Sequence, residues 1–248
     1  MPLELIPVLD LRAGRAVHAR GGVRAFYASV ASVLAPDAGG NAVRLARAYR
    51  ERVGARRCYV ADLDAIDEGT PQRLLLNQVA TAFGGTLLVD AGLRTVADLE
   101  RIEGRNPVVP VAGTETLAGW DALEALLARR PDLVLSLDLR DGHVLGPLGV
   151  RHADAFAVAR SAAALGVREL LVLDLARVGR GQGPAVELLR TMRHAVPRVR
   201  LVAGGGVRDD DDVVRLAEAG ADAALVASAL HAGALAAAHA QSPTSGIR

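Results

Sequence analysis

Along this chain, short unbroken apolar runs alternate with longer stretches in which apolar residues return every three or four positions. The runs occupy residues 5–9, 58–61, 87–89, 108–111, 133–137, 170–173, 200–203 and 223–226. They do not alternate apolar with polar, so each reads as a strand covered on both faces, as in a parallel sheet. Between them lie "AVRLARAYRERV", "PQRLLLNQVATAF", "TVADLERI", "WDALEALLAR", "DAFAVARSAAALG", "AVELLRTMRHAV" and "DDDVVRLAEAG". Their apolar residues fall at i, i+3, i+4 and i+7, the stripe of a helix buried along one side. The order is strand then helix, eight times over. It predicts an α/β fold, a single (β/α)8 TIM barrel.

The pattern also repeats itself. "IPVLDLRAGRAVHARG" near the start and "LVLSLDLRDGHVLGPLG" past the middle place Asp10 and Asp138 at the ends of apolar runs, 128 residues apart. "VADLDAI" (60–66) matches "VLDLARV" (172–178), and Gly92-Leu93-Arg94 matches Gly206-Val207-Arg208. "VAGTETL" (111–117) matches "VASALHA" (226–232) more weakly. The chain therefore reads as two (βα)4 half-barrels, about 1–125 and 126–240, in one domain spanning 1–240. The first and fifth strands then stand opposite each other. Residues 241–248, "QSPTSGIR", read as a disordered tail.

Composition narrows the classes. The chain has 248 residues, typical of one such barrel. Hydrophobic residues make up 51% and aromatic ones 3%, so the core must be Val, Leu and Ala. The net charge is +1, which argues against a nucleic-acid footprint and leaves room for a small anionic ligand. The single cysteine, Cys58, excludes an internal disulfide and fits a reducing compartment. The start "MPLELIPVLD" reads as a strand and no apolar stretch is membrane-length, so a cytoplasmic protein without a membrane partner is expected. The six histidines show no metal-ligand spacing, and no metal is expected.

Asp10 and Asp138 are the first candidates for chemistry. An acid just beyond an apolar run is costly unless it binds something or fixes a turn. Two in matched phrases on opposite strands suit a reaction in which one group removes a proton and the other delivers one. "AGGGVRDDDD" (203–212) puts Gly205 and Gly206 at the end of the seventh strand, and Ala227 and Ser228 follow the eighth. Glycine lets backbone N–H groups approach an anion, and these two loops form the usual phosphate site of such barrels. The other half offers Gly92, Arg94 and Thr95 in "VDAGLRT", then Gly113 and Thr114 in "VAGTET". Arg94 can meet phosphate oxygens with a fork of donors, or it can simply be a solvated turn residue. Two anion sites on opposite sides imply a ligand with a phosphate at each end.

By these residues the chain resembles the histidine-biosynthesis barrel family of phosphoribosyl isomerases and cyclases (HisA/HisF). "IPVLDLRAGRAVHARG" is similar to that family's first strand, "YVADLDAI" to its second and "VLSLDLRDGHV" to its fifth. "GLRT" with "AGT" is similar to its first phosphate site, and "GGGVRD" with "VASAL" to its second. The resemblance implies Asp10 as general base and Asp138 as general acid. It implies an Amadori rearrangement of a phosphoribosyl aminoimidazole carboxamide ribotide, without a cofactor. The segment after the sixth strand departs from the isomerases' Asp-Gly-Thr: in "DLARVGRGQGP" (174–184), Val178 replaces the Asp and Arg180 the Thr. Here the chain resembles a divergent branch associated with one-carbon metabolism based on tetrahydromethanopterin, and Arg180 becomes a candidate substrate contact. Three readings stand: a HisA-like isomerase, a related enzyme on another phosphorylated metabolite, and a barrel that binds a phosphorylated ligand without turnover. A monomer or small homo-oligomer is expected.

Overall fold

The computed structural model describes residues 3–18, 27–104, 106, 108–140, 142–146, 154–178 and 181–236. Its strands are β1 (Glu4–Arg12), β2 (Arg15–His18), β3 (Ala28–Ser29), β4 (Arg57–Asp62), β5 (Thr86–Asp90), β6 (Val108–Gly113), β7 (Val134–Arg140), β8 (His143–Val144), β9 (Glu169–Asp174), β10 (Arg200–Gly204) and β11 (Ala223–Val226). Its helices are α1 (Ala42–Arg52), α2 (Leu63–Glu68), α3 (Arg73–Phe83), α4 (Trp120–Arg129), α5 (Ala155–Leu165), α6 (Val186–Ala195), α7 (Asp210–Glu218) and α8 (Ser228–His231).

Eight strands form the barrel in the order β1, β4, β5, β6, β7, β9, β10, β11, each parallel to the next. Pairing of β11 with β1, from Glu4 opposite Ala223 to Pro7 opposite Val226, closes the circle. The fold is thus a (β/α)8 barrel, and all eight apolar runs are barrel strands. β2, β3 and β8 are antiparallel additions at the rim.

The helices depart from the sequence pattern in two places. The segment expected to be helical at 95–102 is a 3-10 helix, Val96–Arg101. Thr95 and Asp98 form a reciprocal capping box there, and Ile102 N–H bonds the Leu99 carbonyl, so the short segment ends in tight turns. The second departure is α2, a six-residue helix that follows β4 directly. The buried Asp62 carboxylate accepts from Ala65 N–H at its start and from Gln72 N–H beyond it.

Strand alternation divides the residues between two layers. Leu5, Leu9, Cys58, Val60, Leu87, Leu135 and Leu170 face the helices in one large cluster. Ile6, Tyr59, Leu88, Val111, Val134, Leu171, Val202 and Leu225 fill the barrel interior. Each buried Leu, Val or Ile contributes about 1.5–3 kcal/mol. At the N-terminal ends of the strands, Arg57 pairs with Glu169 (2.7 Å) and Glu4 (3.5 Å), and Arg200 pairs with Glu4 (2.5 Å) and Glu169 (3.5 Å). Two arginines and two glutamates thereby close a ring across that end. No helix among the described residues is long and apolar enough to cross a membrane.

Candidate active site

The opposite, C-terminal end of the barrel opens into a cavity of about 1040 Å³. The alternation that sends Ile6 and Val8 inward also sends Asp10 inward. On β7 it does the same for Val134, Ser136 and Asp138. Asp10 and Asp138 both line this cavity, from the first and fifth barrel strands.

Asp138 is 5% exposed. Its Oδ1 accepts from Ser136 Oγ (2.6 Å) and its Oδ2 from Glu115 N–H (3.1 Å), while its own N–H donates to Thr114 Oγ1 (3.0 Å). Burial pushes its carboxyl up to about 7, the negative charge of Asp90 adds to this, and the Ser136 hydrogen bond opposes it. Near neutral pH this group can therefore give up or hold a proton.

The sequence reading did not single out Asp90, yet it lines the same cavity at the end of β5. Its Oδ2 accepts from Tyr59 Oη (3.3 Å) and its Oδ1 from Gly92 N–H (3.0 Å). Tyr59, buried on β4, feels the charges of Asp90, Asp138 and Asp10, and after burial these hold its proton more firmly. Gly113 makes room for the acids: a Cβ there would sit 2.8 Å from Asp138 Oδ2 and 3.6 Å from Asp90 Oδ2.

The anion-binding candidates divide. Gly205, Gly206, Ala227 and Ser228 line the cavity together with Arg208. Gly206 has φ +89°, and a Cβ there would fall 2.4 Å from the Gly183 carbonyl oxygen, so close packing of two loops also demands glycine. The acidic run beyond it does not line the cavity. Asp209 caps α7, and buried Asp212 is held by Arg208 and Arg215.

In the other half, Gly113 lines the cavity, whereas Gly92, Arg94, Thr95 and buried Thr114 are not among its lining residues. The N–H groups of Arg94 and Thr95 both donate to Asp98 Oδ2 (2.9 Å each). Arg208 N–H donates to Asp212 Oδ2 in the same way (2.9 Å), so the two Gly-x-Arg loops carry one hydrogen bond in common.

A family model described as histidine biosynthesis protein matches residues 4–236. The chain belongs to this family. A relative from Rubrobacter xylanophilus is 35% identical over 238 residues, covering 94% of this chain and 93% of the relative. One from Salinibacter ruber is 31% identical over 241 residues, covering 93% and 89%. Both are named 1-(5-phosphoribosyl)-5-((5-phosphoribosylamino)methylideneamino) imidazole-4-carboxamide isomerase. An uncharacterized protein from Methanocaldococcus jannaschii is 29% identical over 235 residues, covering 94% and 95%.

Within this family framework, Val178 lines the cavity and Arg180 lies outside the described residues. The β11 corner of the cavity brings Ser228 together with polar groups that the sequence did not single out. His18 Nε2 and Ser228 Oγ are 2.8 Å apart, and His231 Nε2 is 3.2 Å from Tyr49 Oη. His231 is buried, and burial followed by the neighbouring His18 lowers its pKa to about 4. No group of three or more His, Cys, Asp or Glu is arranged to hold a metal among the described residues.

Proposed function

We propose that this protein is a cofactor-independent aldose–ketose isomerase of a phosphoribosyl aminoimidazole carboxamide ribotide, with Asp10 as general base and Asp138 as general acid. That the chain is an enzyme of the isomerase type follows from its named relatives; the substrate and the residue roles are the proposal. The observation that carries it is the shared cavity. One of its two opposed acids is buried enough to be protonated near neutral pH, when an ordinary carboxyl is ionised.

In this reading Asp138 passes its proton to the sugar ring oxygen. The ring C–O bond breaks as the glycosidic nitrogen's electron pair forms a C=N bond. Asp10, as carboxylate, then takes the C2 proton, leaving an enolic amine. Return of a proton to C1 and loss of the hydroxyl proton at C2 give the ketone. Proton transfer by each positioned group is worth roughly 10²–10⁴-fold. Gly205, Gly206, Ala227 and Ser228 take one phosphate. Gly113, which lines the cavity, and the neighbouring loop of Gly92, Arg94 and Thr95 take the other, with exposed Arg94 as its cation.

The test is turnover of the aminoaldose ribotide by purified protein, lost in both Asp10→Asn and Asp138→Asn. One observation favours a second reading, a different phosphorylated metabolite. Val178 gives the cavity an apolar wall where the resemblance expects an acid. Absence of turnover, together with a thermal shift caused by another phosphorylated compound, would select that reading.

A further inference from the structure

Two acids are enough for the reaction proposed above, but the cavity holds a third in direct relation to one of them. Asp90 and Asp138 converge on the gap left by the missing side chain of Gly113. Their surroundings differ. Each receives donors on both oxygens, Asp138 from Ser136 Oγ and Glu115 N–H and Asp90 from Tyr59 Oη and Gly92 N–H, but Asp138 is almost fully buried whereas Asp90 is half-buried. With donors on both groups, burial decides between them: it penalises the ionised form of the more enclosed acid, and a like charge beside that acid favours its neutral form further.

We propose that Asp90 is a positioning residue for catalysis: its carboxylate, fixed by Tyr59 and Gly92, keeps the proton on Asp138. The pair behaves as one unit carrying one proton, and the proton resides on the more buried member. The charged and titratable groups around Asp138 are consistent with this. They are Asp90 on β5, Glu115 after β6, Tyr59 on β4 and Asp10 across the barrel on β1. Beyond them lie Arg140 and His143 further along its own hairpin, and Asp174, which is paired with Arg177. The carboxyls dominate the near surroundings, and of these the charge of Asp90 weighs most on Asp138. Asp90 touches no reacting atom in this scheme. The consequence for turnover rests on the acid–base roles proposed above; the proton relation itself does not.

The experiment is carbon NMR of the full-length protein labelled with ¹³C at aspartate carboxyls, titrated without ligand. The wild type should show one carboxyl with a midpoint near 7, absent in Asp138→Asn. In Asp90→Asn that midpoint should fall by about one unit or more, and in Asp90→Glu it should stay close to the wild-type value. An unchanged midpoint in Asp90→Asn overturns the proposal. If that variant does not fold, the wild type still decides: the Asp90 carbon should show a second inflection at the Asp138 midpoint, and a single-step curve overturns it. With the aminoaldose ribotide, the alkaline limb of kcat/KM should move to lower pH in Asp90→Asn and stay near its wild-type position in Asp90→Glu. A shifted NMR midpoint without turnover of that ribotide would sink the substrate reading and uphold the Asp90–Asp138 relation.

Discussion

The two ends of the barrel treat charge in opposite ways. At the N-terminal end, Glu4, Arg57, Glu169 and Arg200 meet in equal numbers of each sign and neutralise one another. At the C-terminal end, three acids, Asp10, Asp90 and Asp138, share one cavity. The first arrangement satisfies groups that would otherwise be stranded at the base of the core. The second holds acids close together, which costs stability as the buried one ionises, and so leaves a proton in play near neutral pH. One end serves the fold; the other keeps the reactivity.

Variants at the two ends should therefore fail differently. The largest effect is expected at the mouth: Asp138→Asn or Asp10→Asn should lower kcat/KM for the aminoaldose ribotide by roughly 10²–10⁴-fold, measured on folded protein. Full activity in either variant would remove that residue from the chemistry.

Next is the pH dependence of stability. The Asp138 carboxyl lies near 7 in the folded chain against an ordinary value of 3.8. Its contribution is fully present below about 3.8 and is lost as the pH rises towards 7. Across that window the unfolded chain releases a proton that the folded chain retains, so stability falls by up to about 1.4 kcal/mol per pH unit. Denaturant unfolding of Asp138→Asn between pH 4 and pH 8 should show this slope flattened. The variant should then be more stable than wild type at the alkaline end, although inactive.

A smaller effect of the opposite kind is expected at the base. Arg57→Met leaves Glu4 and Glu169 with Arg200 alone. It should cost about 2 kcal/mol of unfolding free energy, discounted from a fully buried pair because the ring is partly exposed. Its kcat/KM should match wild type, and a large loss of turnover would break the division between the two ends. The smallest effect should come from Arg94→Ala. Its side chain is exposed, so KM should rise by about fivefold with kcat unchanged. An unchanged KM would take Arg94 out of the phosphate site.

Much of the fold was legible because strand and helix periods differ and because unbroken apolar runs mark strands covered on both faces. The candidate site was legible only in part. Asp10 and Asp138 stood out through their matched phrases. The criterion behind them, an acid ending an apolar run, also fits Asp62, Asp90 and Asp174. Applied throughout, it would have found Asp90. It would also have drawn in Asp62, which caps α2, and Asp174, which pairs with Arg177. Tyr59, Ser136 and His231 lie inside the matched stretches without standing out by residue type, and their contacts with Asp90, Asp138 and Tyr49 appear only in the folded chain.

The sequence by itself determined the succession of strands and helices, the family and the set of acids at strand ends. Tertiary structure decided which of those acids meet. Successive strand residues point to opposite faces, so Asp10, Asp90 and Asp138 fall on the parity that faces the barrel axis, while Asp62 and Asp174 follow inward-facing Ala61 and Leu173 by one residue. Closure of β11 onto β1 then wraps the inward-facing residues of eight strands around one axis. A difference of one position along a strand separates a cap from a member of the cavity, and only the closed barrel assigns the sides.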